Sequence, residues 1–173
     1  MRVPFEAIEH EEYTDARYED RPFTGTAFYV CNGVLAEECD FVEGYLHGMR
    51  REYYASGRLM WEAAYRDGVP DGRSAHYFED GRIEAMFMYE AGQTLERLEF
   101  SCEGVKVAEY RREPGILREW REDGSLRKET TFASPDGYDR GSVVEERYFD
   151  HDGKPTVVQR NGGWRIAGSG RDA

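Results

Sequence analysis

Four histidines and three cysteines are the residues of this chain best suited to metal or nucleophilic chemistry, and their neighbours decide whether they can perform it. Asp150-His151-Asp152 and Glu9-His10-Glu11-Glu12 combine the oxygen and nitrogen donors of a metal site. On a strand, however, alternate side chains point to opposite faces. Only the outer two of the first trio would then share a side, and no second cluster stands at ligand spacing to complete a shell. His47 falls in a turn and His76 in a strand, and neither sits beside a serine or cysteine in a nucleophile and base arrangement. Cys31, Cys39 and Cys102 are an odd number without a close Cys-x-x-Cys pair, which fits reduced, partly buried thiols. The glycines recur at hairpin spacing and do not open a helix, so they form no phosphate-binding loop. The expectation is a protein without metal, cofactor or catalytic residues, one that works by binding.

The residues suited to binding are aromatic and acidic. Tyr54 and Phe78 occupy equivalent positions just before two turns, and on a pleated strand they project opposite Tyr53 and Tyr77. With Trp61 they are the expected anchors of a contact surface, where a desolvated aromatic is typically worth about 2 kcal/mol or more. The competing reading is that they only cover neighbouring hairpins, because a thin sheet needs large side chains on both faces. Glu79, Asp80, Glu122 and Asp123, with Asp150 and Asp152, lie beside glycines in turns. Acidic side chains suit turns on their own account; as a contact surface, they would imitate phosphates before a basic cleft.

Those residues are positioned by a repeat. Gly33, Gly57 and Gly81 are 24 residues apart, as are Gly44, Gly68 and Gly92, with Phe41, Tyr65 and Tyr89 in step. Each unit reads as two strands joined by a glycine turn, as in Gly48 to Tyr54, Ala55-Ser56-Gly57-Arg58, then Leu59 to Tyr65. Positions two, four, six and eight beyond each glycine share a face. They are Leu35, Glu37, Cys39 and Phe41; Leu59, Trp61, Ala63 and Tyr65; and Ile83, Ala85, Phe87 and Tyr89. The opposite face carries Glu38, Asp40, Glu62, Ala64 and Glu84, but also Met60, Met86 and Met88, so both faces are expected to be partly covered. After Gly92 the spacing slips: Gly104 and Gly115 arrive at 23, and Gln93 to Glu113 matches the unit poorly. A unit returns at Gly115 to Phe132, and Glu146 to Gly153 suggests a last hairpin.

The expected architecture is one all-β domain over 1–166, a meander of antiparallel hairpins in a mostly single-layer twisted sheet. It divides into an N-terminal cap (1–24), repeats (25–132) and a C-terminal hairpin and cap (133–166), followed by a flexible tail (167–173). Pattern does not decide between strand, helix and loop for Met1 to Arg21, and Ala133 to Gly141 reads as a loop insertion. The 35 acidic and 23 basic side chains give a net charge of -12. That balance opposes nucleic acid and anionic membrane and favours a basic partner. The N-terminus lacks the apolar core of a signal peptide and no stretch is long and apolar enough to span a membrane, so a cytoplasmic location is expected.

Phe41-Val-Glu-Gly44-Tyr-Leu-His47-Gly48 followed by Tyr53-Tyr54-Ala-Ser-Gly57 resembles the MORN repeat, and Tyr65-Arg-Asp-Gly68-Val-Pro-Asp-Gly72 followed by Tyr77-Phe78-Glu-Asp-Gly81 resembles it again. The form of the unit is closer to the bacterial MORN-variant repeat of YwqK-type antitoxins. The similarity covers Gly25 to Gly92 and, more weakly, Gly115 to Phe132. The resemblance implies a twisted hairpin meander and an immunity role, in which the protein neutralises a cognate toxin by covering its active site. A nuclease or nucleobase deaminase with a basic cleft would suit the acidic charge. A MORN-type scaffold or membrane-associated module is the alternative. The family carries no shared catalytic residues to these positions.

Overall fold

Two kinds of tight turn, both containing glycine, join most of the strands. The computed structural model describes residues 1–11, 14–133, 143–160 and 163–166. The first kind is a two-residue turn with both central φ angles positive: Asn32-Gly33 (51° and 80°), Glu43-Gly44 (49° and 86°), Asp67-Gly68 (50° and 81°) and Ala91-Gly92 (47° and 80°). This is the mirror-image turn whose twist matches that of the strands it joins. The second kind recurs five times with one hydrogen-bond pattern. In the first instance, Gly57 N–H donates to Tyr54 O at 2.8 Å and Tyr54 N–H donates to Arg58 O at 2.8 Å. The same pair of bonds closes the turns at Phe78–Arg82, Ser101–Val105, Arg121–Ser125 and Asp150–Lys154.

The elements are β1 (Arg2–Pro4), a 3-10 turn (Phe5–Ala7), β2 (Glu9–Glu11), β3 (Thr14–Tyr18), β4 (Arg21–Pro22), β5 (Gly25–Cys31), β6 (Val34–Val42), β7 (Tyr45–Tyr53), β8 (Leu59–Arg66), β9 (Val69–Tyr77) and β10 (Ile83–Glu90). They continue with β11 (Gln93–Phe100), β12 (Lys106–Arg111), β13 (Ile116–Trp120), β14 (Leu126–Phe132), β15 (Val143–Phe149), β16 (Pro155–Arg160) and β17 (Gly163–Ile166). The fold is an antiparallel all-β meander, as the glycine spacing predicts. Its strands also run through Gln93 to Glu113, where the repeat is hard to read. The loop expected after Ala133 and the tail at 167–173 lie outside the described residues.

The chain forms two compact units, 1–94 and 95–173. In the first, β5 to β10 follow one another as antiparallel neighbours, and β1 joins the edge parallel to β5 with Arg2 opposite Thr26. β2, β3 and β4 make a separate small sheet. This N-terminal segment supplies a second layer: Val3, Ile8, Ala16 and Phe23 pack with Ala27, Cys39, Phe41 and Leu46 into a buried cluster. Backbone bonds pin it there, Ala16 N–H donating to Gly44 O (2.8 Å) and Gly44 N–H to Phe23 O (2.9 Å). The second unit runs β12 to β17 as successive antiparallel pairs, with β12 also paired to β11.

The 24-residue period has a backbone cause in the first unit. Gly68 N–H donates to Leu46 O and Gly92 N–H to Pro70 O, each at 2.8 Å, so a two-residue turn hangs on the strand that follows the preceding one. A Cβ on Gly92 would come within 2.9 Å of Val69 Cγ1, which makes the position a packing requirement as well as a φ requirement. Gly48, inside β7 with φ of 111°, serves a different purpose. A Cβ there would lie 2.9 Å from Cβ of Asp40, at a register shift between β6 and β7.

Candidate binding surface

The first unit has two chemically distinct faces. Cross-strand register confirms the period-two reading of the first: Glu37, Glu52, Trp61, His76 and Ala85 form one row, and Cys39, Arg50, Ala63, Ser74 and Phe87 the next. Glu37 and Glu52 stand directly opposite each other, a like-charge pairing that would destabilise the sheet by itself. Arg50 resolves it, its Nε lying 2.9 Å from Glu37 and its Nη2 2.7 Å from Glu52. The same guanidinium sits over the Trp61 ring at 5.2 Å. From there an aromatic series continues through Trp61–His76 (6.0 Å), His76–Phe87 (5.6 Å) and Phe87–Tyr89 (5.8 Å, stacked at 15°). Burial pushes the His76 imidazole below its ordinary pKa, against the opposing pull of Glu84 and Glu52.

The second face repeats a tyrosine and carboxylate pair. Tyr53 donates to Glu38 Oε2 at 2.6 Å, and Tyr77 donates to Glu62 Oε1 at 2.9 Å; each member lies one period from its counterpart. Arg51 lies between the two carboxylates in register and contacts Glu62 at 3.5 Å. Partial burial, reinforced by the Glu38 hydrogen bond, pushes the Tyr53 phenol up to about 12. Met49, Met86 and Met88 lie half-buried on this face, opposite Ala64, Ala75 and Arg73. The sequence pattern marks Met86 and Met88, with Met60, for this face but not Met49, and it missed the tyrosine and carboxylate pairs, although their spacing was a usable signal.

Tyr54 and Phe78 are half-buried beside their turns. The Tyr54 hydroxyl is already engaged, donating to the backbone oxygen of Tyr77 at 2.6 Å. It ties one turn to the next. Trp61 belongs to the first face, centrally in the aromatic series. Glu79 and Asp80 are exposed in the following turn, where the Glu79 carbonyl accepts from Arg58 at 2.8 Å. Asp80 is bound to Arg82 through its Nη2 (2.6 Å), Nε (2.9 Å) and backbone N–H (2.9 Å), and those bonds hold its carboxyl below the usual range.

Glu122 and Asp123 belong to the second unit, and both are exposed. Asp123 accepts from Ser125 Oγ (2.6 Å) and N–H (2.8 Å) and pairs with His151 Nδ1 (2.7 Å), which together lower it to about 2. Asp150 caps its own turn, taking N–H groups from Asp152 (3.1 Å) and Lys154 (2.8 Å). Two of the three side chains read from sequence as possible metal ligands, Asp150 and His151, are therefore engaged in turn and inter-turn bonds. Among the described residues no three histidine, cysteine or carboxylate side chains converge on a common metal position.

The second unit's faces are built from ion pairs. Glu109, almost buried, takes Lys106 Nζ at 2.8 Å and Arg111 Nε at 2.7 Å, and the Lys106 hydrogen bond leads in lowering its carboxyl. Arg118 reaches Glu129 at 2.9 Å, Lys128 reaches Glu146 at 2.5 Å, and Glu145 lies between Arg147 and Arg160. Arg121 stands at the turn position that Tyr54 holds in the first unit. Its Nη2 donates to Phe149 O at 2.5 Å and its Nη1 to Leu126 O at 3.0 Å. An open hollow of about 460 Å³ adjoins it, lined by Arg127, Tyr148, Phe149, Thr156 and Val157.

No family model matches the chain, and no curated protein matches it. Among solved structures, it aligns with S. aureus TarM, seen in a mutant complex with Fondaparinux, alpha-GlcNAc-glycerol and UDP, at 9% identity and a TM-score of 0.28 over 69% of this chain. The GtfA/B complex bound to UDP and GlcNAc aligns at 16% identity and a TM-score of 0.25, also over 69% of this chain. The chain spans 19% and 23% of those proteins. Likeness at this level transfers neither fold nor activity. No helix among the described residues is long and apolar enough to cross a membrane.

Proposed function

We propose that this chain is an immunity protein that binds a cognate bacterial toxin in the cytoplasm and covers its active site without catalysing a reaction. The observation that carries this reading is the net charge of -12 on a hairpin sheet whose half-exposed faces combine aromatic side chains with carboxylates held in place by their neighbours. Enzymes that act on nucleic acids need basic clefts, and an acidic surface competes for such a cleft by complementarity, which raises the association rate and suppresses wrong partners. A nuclease or nucleobase deaminase is the target class that fits best. The likeness of Gly25 to Gly92 to the MORN-variant repeat of bacterial antitoxins supports the same reading. Co-expression with the toxin encoded beside it should give a complex that survives purification and protects the host from the toxin. Absence of both complex and protection would overturn the proposal.

A further inference from the structure

On the strands of the second unit, cations are matched with carboxylates. Lys106 and Arg111 share Glu109, Arg118 pairs with Glu129, Lys128 with Glu146, and Arg147 and Arg160 share Glu145. Among the described residues Arg127 on β14 breaks this rule, being exposed and in no ion pair, and so does Arg121 at the turn beside it. Arg121 is held by neutral oxygens alone: Ser125 Oγ (3.2 Å), Leu126 O (3.0 Å), Asp150 O (3.5 Å) and Phe149 O (2.5 Å). Its position is fixed while its charge is left unneutralised. Both arginines line the open hollow of about 460 Å³, and no carboxylate side chain lines it with them. In a chain of net charge -12, a hollow whose charged walls are both arginine is a place where an anion is favoured. The remaining walls are Tyr148, Phe149, Thr156 and Val157. Tyr148 and Val157 face each other in register, and the shift that follows leaves Thr156 as an extra residue on β16, the kind of bulge that re-aims side chains beside functional sites. The volume is that of a small-molecule site.

We infer that this hollow binds a small organic carboxylate with an apolar body. The carboxylate lies against Arg127, whose planar fork donates to both of its oxygens, with the fixed charge of Arg121 beside it. The apolar body rests on Tyr148, Phe149 and Val157. A singly charged carboxylate suits the place better than a doubly charged phosphate, because the two turns that Arg121 bridges carry Asp123 and Asp150. The site goes beyond the immunity reading and does not rest on it.

The test is an NMR titration of the full chain with phenylacetate, set against benzyl alcohol, phenethylamine and inorganic phosphate at the same ionic strength. Phenylacetate should move the Tyr148 and Phe149 ring signals and the Thr156 and Val157 methyl signals, while the Trp61 indole of the first unit stays still. The alcohol, the amine and phosphate should each bind about tenfold more weakly or less. Arg127→Gln, an exposed substitution that removes the charge, should weaken phenylacetate by about tenfold in Kd with an unchanged melting temperature. Ring and methyl signals that stay still, an alcohol, amine or phosphate that binds as tightly as phenylacetate, or an unchanged Kd in Arg127→Gln would overturn the site.

Discussion

In the first unit the turn beginning at Tyr54 is tied to the next by a phenol, and in the second the turn beginning at Arg121 is tied by a guanidinium. Both groups reach the carbonyl of the residue just before the next turn, Tyr77 in one case and Phe149 in the other. The contrast extends to the faces. The first unit pairs tyrosines with glutamates and runs aromatics in series, while the second runs Glu109, Arg118, Glu129 and Arg147 across neighbouring strands as alternating charges. The common element is the turn, closed by the same two backbone bonds in both units whether the glycines are 24 residues apart or not. Hairpin repetition therefore survives loss of sequence repetition, because the backbone asks only for a residue tolerant of positive φ at one place. Side chains on the strands are then free to diverge.

The comparison can be strained most severely where the first unit has what the rest of its sheet lacks, a second layer. Phe41→Ala removes a ring that is 1% exposed within the N-terminal cluster and should cost about 3 to 5 kcal/mol. Tyr89→Ala, at the equivalent but half-exposed position, should cost less than half as much. Thermal or urea unfolding of the two variants measures the difference, and equal losses would mean that the N-terminal segment contributes no more than an ordinary hairpin.

A smaller effect tests the inter-turn tie. Arg121→Ala deletes a charged donor to several acceptors and should cost about 1.5 to 3 kcal/mol, whereas Tyr54→Phe deletes one neutral hydrogen bond and should cost about 0.5 to 1.5 kcal/mol. If Tyr54→Phe proves the more damaging in unfolding measurements, the two ties are not equivalent.

The smallest effect is one of pH. The Asp123 carboxyl is lowered to about 2 by its bonds to Ser125 and then His151, so its contribution is present above the ordinary carboxylate pKa. It is lost as pH falls through the folded value. The melting temperatures of the native chain and Asp123→Asn should therefore differ at neutral pH and converge between about pH 4 and pH 2. A gap that persists at pH 2 would show that Asp123 acts through shape and not through charge.

Much of this architecture is legible in residue types and spacing. Gly33, Gly57, Gly68, Gly81 and Gly92 mark turns because few other residues adopt their φ, and period-two alternation assigns Trp61, Ala63 and Phe87 to one face because strand geometry leaves no choice. Residue types mark out Tyr54, Phe78, Trp61 and the acidic turn residues, but not the bonds that engage them within the chain. Nothing in Ser-Gly or Asp-Gly punctuation says that Tyr54 is committed to Tyr77, or Asp80 to Arg82. From Gln93 to Glu113 the strand pattern was hidden because charged side chains, paired across strands, replace the apolar alternation that makes a strand visible.

The amino-acid sequence by itself determined the all-β class, the turn positions and the acidic balance, since each depends on local backbone preference or on composition. Tertiary structure alone decided which carboxylates are used up in holding turns and which remain on an open face. It also decided that the N-terminal segment covers Phe41 but not Phe87. Those outcomes depend on cross-strand register and on contacts between residues far apart in the chain, which a one-dimensional pattern does not contain.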